Sequence, residues 1–316
     1  MSTTPVTNMT HHRIEGPEAL FAWAWQFFKA QWKKLYPIAV IPLAFLFVGS
    51  SILALGPGAA VISWIFIVIA IVVGIAMFPA LIKAIDDLAG NPSSTQPLSR
   101  RYAVGFGLFG TMLWLIVLKI FVSAGSFVLL VVPGLIIGVY TVVYTFSAII
   151  GDKKGFASLV DSFNLVRGRW WAVVARLFFL WIVIELFYLA VYLLMMFLTF
   201  VFMSLHAPAV VAILFLIIAI VVAPLLVTFA LLYMYRLYVC LRQHPLPAST
   251  APIKGWLIAF FVIGIPGLIG LITLFISLAI WFPMQQGYRM RTIDPAMYQN
   301  NMKDVPPWVQ ALQQQK

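Results

Sequence analysis

The chain has 316 residues, of which 63% are hydrophobic and only 9% charged, with a mean hydropathy of +1.04. A soluble domain carries about 25% charged residues, so the composition excludes a water-soluble fold and requires the bilayer as solvent. The net charge of +11 lies in short basic clusters rather than on one stripe, which argues against nucleic-acid binding and for anionic headgroups and membrane orientation.

Residues 1–16 are polar and lack the apolar core of a cleavable signal peptide. They read as a disordered tail, and His11 and His12 as part of that tail rather than a metal site. Gly16-Pro17-Glu18 then opens a helix, with proline suited to the first turn and Glu18 to its positive end. Phe21, Trp25, Phe28, Trp32 and Leu35 follow at steps of four and three, with Gln26, Lys29 and Lys33 on the other side. The pattern predicts an amphipathic helix at the membrane surface.

Apolar runs predict spans at about 36–55, 60–85, 103–132, 135–150, 170–203 and 209–238. Turns are expected at Gly56-Pro57-Gly58, at Pro133-Gly134 and around His206 to Pro208. The fourth span is short for a hydrocarbon core of roughly 30 Å and must stand upright, thin the bilayer or be shielded by protein. Between the fourth and fifth spans lies the charged hinge Gly151-Asp152-Lys153-Lys154-Gly155 and a second amphipathic helix. In that helix Phe156, Leu159, Val160 and Phe163 share a face, and Ser158, Asp161 and Ser162 lie opposite. Arg167 and Gly168 form its C-terminal stop.

Lys and Arg occupy 29–34, 83–101, 151–169 and 236–254, whereas the intervening turns have none. The positive-inside rule therefore places the N-terminus and the charged loops in the cytoplasm. A seventh apolar run at 255–282 is expected to cross once with a kink, or else to fold back at Pro266-Gly267 as a re-entrant hairpin. The fold class expected is an all-α polytopic transmembrane bundle of six to seven spans with amphipathic interfacial helices. Its parts are a tail at 1–16 and a membrane domain at 17–242, with similar halves 17–150 and 151–242. A Pro-rich loop plus the seventh run follows at 243–282, then a polar tail at 283–316.

Several of these features together resemble a known family. They are Pro133-Gly134, Ser162, Gly168, Trp170, Pro224 and Tyr235, set in the order turn, short span, charged hinge, surface helix and tryptophan-led span. The pattern over 17–242 resembles the integral membrane domain associated with bacterial glycerophosphoryl diester phosphodiesterases, which also occurs in six-helix membrane proteins without that enzyme. The resemblance implies six helices and a bacterial cytoplasmic (inner) membrane location. It does not imply hydrolysis, which in that family belongs to a separate soluble barrel.

Lys119 and Glu185 are the ionisable residues set deepest in the predicted spans. Burying a charge at the bilayer centre costs a few kcal/mol, so a Lys119–Glu185 ion pair is the candidate intramembrane site. Arg176, almost two turns inside the fifth span, is expected to snorkel to the surface. Arg100, Arg101, Lys153, Lys154, Arg167 and Arg169 are the candidate contacts to lipid phosphates. Gly105, Gly107 and Gly110 have the spacing of a dinucleotide-binding fingerprint, but no strand precedes them and close helix packing is the better reading.

No nucleophile–base pair or paired carboxylates can be read from the nine acidic residues, and the lone Cys240 excludes a disulfide within the chain or a cysteine metal cluster. No catalytic, cofactor or metal site is therefore assigned. The function expected is a non-enzymatic membrane scaffold or envelope- and lipid-associated module, with membrane lipids and a further membrane protein as partners and no nucleic acid. The alternative is a small transporter or channel centred on Lys119 and Glu185, and a lipid-acting membrane enzyme comes third.

Overall fold

The structure is a computed structural model and describes residues 14–53, 56–129, 131–204, 208–244 and 253–291. Among the described residues every regular element is helical. In chain order they are α1 (Pro17–Leu53), a short 3-10 turn (Pro57–Ala59), α2 (Ala60–Gly90), α3 (Leu98–Gly107), α4 (Phe109–Leu129) and α5 (Val131–Tyr140). There follow α6 (Tyr144–Ile149), α7 (Phe156–Val166), α8 (Trp170–Ser204), α9 (Pro208–Gln243) and α10 (Ile253–Arg291). Among the described residues, seven helical segments are long and apolar enough to cross a membrane: within α1, α2, α4, α8, α9 and α10, and across α5 and α6 together. The all-α bundle expected from composition is the fold observed.

The first correction concerns α1. The surface helix and the first span are one continuous helix, roughly 55 Å long at 1.5 Å per residue. Its apolar stripe is not turned only to lipid, because Leu20, Ala24, Leu35, Ile38 and Ala39 are fully buried. Phe21 packs edge-on against Phe229 of α9 at 5.1 Å and Phe179 of α8 at 6.2 Å. Trp25 and Trp32, on the same predicted stripe, stay exposed.

Pro37 and Pro42 lie inside α1 and Pro224 inside α9. A proline removes the N–H that would serve the carbonyl four residues earlier. For Pro42 that carbonyl is Ile38 O, and Tyr102 of α3 donates its hydroxyl to it at 2.5 Å. For Pro224 it is Ile220 O, and Tyr36 of α1 donates to it at 3.4 Å. The carbonyls orphaned by Pro42 and Pro224 are thus each served by a tyrosine from a neighbouring helix, which lets a proline-bearing helix continue where water is scarce.

The predicted third span divides at Leu108 into α3 and α4. α3 lies tightly on α2: a Cβ on Gly105 would stand 2.3 Å from Ala76 O and 2.9 Å from Ala80 Cβ. Gly105 therefore has the packing role expected of the glycine triplet, whereas Gly107 and Gly110 face open space. Pro133-Gly134 is not a turn but part of the first turn of α5, where the proline's missing N–H needs no acceptor. The fourth span is broken, with turns at 141–143 separating α5 from α6.

α7 forms where the periodicity places it, and Gly168 just beyond it has φ +76°, the left-handed conformation that suits glycine. Its buried face, however, carries Ser158, Leu159, Ser162 and Val166. The two serines predicted on the outer face point inward, while Phe156, Val160 and Phe163 are half-buried. The two predicted halves also differ here: the leading helix of the first is fused into α1, whereas Arg167 to Arg169 separate α7 from α8.

The chain forms two compact units, Met1–Gly264 and Ile265–Lys316. In the first, a large apolar core gathers α1, α2, α6, the start of α8 and the end of α9, around Leu20, Leu81, Ile85, Leu232, Tyr233 and Tyr238. A smaller cluster joins Leu118 and Val122 of α4, Ile137 of α5, Leu159 of α7 and Ile253 and Leu257 of α10. The second unit holds the later part of α10, where Thr273 bonds back to Ile269 O at 2.8 Å. α10 is helical through Pro266-Gly267, so the chain does not turn back there as a re-entrant hairpin would. His11, His12, His206, the loop at 245–252 and the tail from 292 lie outside the described residues.

Candidate functional site

The break between α5 and α6 concentrates the polar chemistry of the bundle interior. The turn at 141–143 interrupts the helical ladder, since the Val142 N–H bonds Val139 O and the Tyr144 N–H bonds Thr141 O, and a backbone group left over in apolar surroundings is tolerated only where protein supplies partners. Ser162 of α7 supplies two of them: its Oγ donates to Tyr140 O at 2.9 Å and accepts from the Val143 N–H at 3.2 Å. The ring of Phe163, next in sequence, stacks on Tyr140 at 4.1 Å. Thr141 donates its hydroxyl to Ile137 O at 2.7 Å, and that hydroxyl in turn accepts a hydrogen bond from Lys119 Nζ. The ammonium also lies 6.0 Å from the centroid of the Tyr144 ring, within reach of a cation–π attraction.

The structure does not bring Lys119 and Glu185 together. Lys119, the middle residue of α4, points to the break. Glu185 is exposed on α8, between exposed neighbours such as Ile182, Leu186 and Leu189. Reading depth from position along each span missed this, because depth says nothing about which face of a helix a residue occupies.

A second polar cluster was invisible to sequence reasoning, since it joins the segment before α1 to residues 161 and 221 positions away. Arg176 is 8% exposed and does not snorkel outward. Its Nε donates to Glu15 O at 2.8 Å, its Nη2 to Ile14 O at 2.8 Å and Glu15 O at 2.6 Å, and its Nη1 to Ala172 O at 2.5 Å. The Glu15 carboxylate pairs with Arg236 of α9, whose guanidinium sits 5.4 Å from the Trp23 ring centroid. Tyr233 donates to Arg176 O at 3.1 Å and Tyr235 to Asp86 Oδ1 at 3.0 Å. The segment preceding α1 is thereby held against the start of α8 and the end of α9.

The six basic residues predicted to meet lipid fall into three environments. Arg100, Lys153, Lys154 and Arg167 are exposed. Arg101 is only 7% exposed and donates to Lys34 O at 2.7 Å, so it ties α3 to α1 instead of facing a headgroup. Burial pushes its pKa below the ordinary arginine value, and the nearby Asp87 opposes that shift. Arg169 is half-buried, its pKa also lowered by burial, and its Nη1 is fully enclosed with no hydrogen-bond partner. It lines a cleft of about 670 Å³ with Ile14, Tyr140, Gly168, Trp170, Trp171, Ala172 and Arg176.

Taken with the seven apolar helical segments, these features define a helical multi-pass membrane protein. Comparison of the chain with family models, curated proteins and solved structures finds no match to any of them.

Proposed function

We propose that this protein is a non-enzymatic membrane module, a scaffold or envelope- and lipid-associated component that works by helix packing and lipid contact. In this reading it resides in the bacterial cytoplasmic membrane with its N-terminus in the cytoplasm, and its basic loops meet anionic headgroups there. The resemblance over 17–242 supports the bacterial setting. The observation that carries the reading is that the hydroxyls of Thr141 and Ser162 and the backbone groups at the break in the fourth span pair with one another, with Lys119 held by Thr141 Oγ1 and beside the Tyr144 ring. Thr141 spends its one hydroxyl proton on Ile137 O and offers its oxygen to Lys119, while Ser162 serves Tyr140 O and the Val143 N–H. A transport site would instead hold donors or acceptors open to a passing solute.

The test is the lipid that stays with the protein purified from its membrane. Enrichment of anionic phospholipid over its share of the membrane is expected. It should fall when Lys153, Lys154, Arg167 and Arg169 are changed together to glutamine, and no enrichment would count against the reading.

One observation favours the second reading, a small transporter or channel. Broken helices near a buried charge are where membrane transporters place their ions and substrates, and Lys119 lies at such a break. In this reading Lys119 and Thr141 carry the site, and Glu185 has no part in it.

A further inference from the structure

We propose that the cleft at the start of α8 is a binding site for a phosphate group, supplied by the headgroup of an anionic phospholipid. The proposal rests on the lipid-contact reading above and sharpens it from a basic surface to one built site.

Two cations line the cleft, Arg169 and Arg176, and no acidic residue is among its described lining residues. The acceptors of Arg176 are all backbone carbonyls, of Ile14, Glu15 and Ala172. The Glu15 carboxylate, nearest in sequence, is engaged by Arg236 instead. The hydrogen bonds of Arg176 are therefore largely met by neutral carbonyls, and the one carboxylate acting on its charge, that of Glu18, does so without a hydrogen bond to it and does not line the cleft. Arg169 is in the opposite condition: its Nη1 is shielded from solvent and makes no hydrogen bond at all. A buried unsatisfied guanidinium nitrogen is costly, and a planar fork of N–H donors fits the oxygens of a phosphate. The cleft also opens at the first turn of a 35-residue helix, whose leading N–H groups have no acceptor within the helix.

The remaining walls suit an amphiphile better than a free ion. Trp171 is 77% exposed and packs edge-on against Trp170 at 4.6 Å, the kind of paired indole found at the level of lipid headgroups. Ile14 and Tyr140, also lining the cleft, add apolar surface for the glycerol and the first acyl carbons. A second cation in the headgroup, as in phosphatidylcholine, would be repelled by the two arginines, so the site selects net-anionic headgroups.

The experiment is native mass spectrometry of the full chain in neutral detergent, titrated with phosphatidylglycerol, phosphatidylcholine or inorganic phosphate. Phosphatidylglycerol should bind more tightly than phosphatidylcholine. Arg169→Gln should weaken phosphatidylglycerol binding about tenfold, as for loss of a charge-assisted hydrogen bond. Trp171→Ala, at an exposed position that leaves the fold intact, should weaken it by a smaller but measurable factor. Gln243→Ala, exposed at the end of α9 and outside the cleft, should change it less than about twofold. Displacement of the lipid by inorganic phosphate would keep the phosphate site but reassign its source to a soluble phosphate, whereas no displacement supports the lipid. Unchanged binding in both cleft variants would overturn the site, as would an equal loss in Gln243→Ala. In either case the wider lipid-contact reading would stand. Equal binding of the two lipids by the unaltered chain would overturn both.

Discussion

The Tyr102 hydroxyl is predicted to stabilise the bundle because Pro42 leaves Ile38 O without its helical partner. Tyr102→Phe removes the 2.5 Å bond and nothing else of size, at a side chain only 9% exposed. A buried carbonyl left without a donor costs about 1–3 kcal/mol, and that is the loss expected in reversible unfolding of the purified protein in micelles. The second arm isolates the cause. Pro42→Ala returns a backbone N–H that can reach Ile38 O within α1, so in that background Tyr102→Phe should cost clearly less. Equal cost in both backgrounds would refute the reasoning, since the hydroxyl would then be acting elsewhere.

The same bond has a pH signature. Burial pushes the Tyr102 hydroxyl up to about 12 from an ordinary value of 10. A folded pKa raised above the unfolded one adds stability that is present below pH 10 and lost as pH rises toward 12. Tyr102→Phe should remove that part of the alkaline decline.

Two further outcomes follow from the packing. A Cβ on Gly125 would stand 1.8 Å from Phe260 O, so Gly125→Ala should push the first part of α10 off α4 at a cost of about 1–3 kcal/mol. Disulfide trapping between cysteines introduced at Phe121 and Phe261, whose rings lie 5.3 Å apart, should then slow; trapping at the unaltered rate would contradict the close approach. In a double-mutant cycle, Lys119→Met and Thr141→Val should couple by about 1 kcal/mol or more, whereas Lys119→Met and Glu185→Gln should be additive. The reverse pattern would return Glu185 to the site.

The class of fold was legible in composition alone, because a chain so poor in charge has few ways to be solvated. Helix positions followed from apolar run length, and the stop at Gly168 from local chemistry. What failed was local punctuation read without its surroundings. Pro133-Gly134 looks like a turn in any soluble loop, yet at the start of a helix a proline is harmless. Ser158 and Ser162 look solvent-facing by periodicity. They are buried because a broken helix beside them needs donors and acceptors, a demand that α7's own sequence does not reveal.

The same gap explains Lys119 and Glu185. Two opposite charges in apolar spans suggest each other, but a hydroxyl at a helix break can also accept from the ammonium, and Thr141 gave no sign of this in its own neighbourhood. The Glu15–Arg236 pair and the carbonyl ligands of Arg176 lay beyond reach for a simpler reason. They depend on how α1, α8 and α9 meet, which no spacing along the chain encodes.

The proposed function makes the polar interior structural and the lipid-facing edge the working surface. The most direct test is ion and solute flux in proteoliposomes holding the purified full chain, compared with its Lys119→Met variant. Background flux is expected from both. Flux well above empty vesicles that disappears with Lys119→Met would contradict it and make the break in the fourth span a transport site.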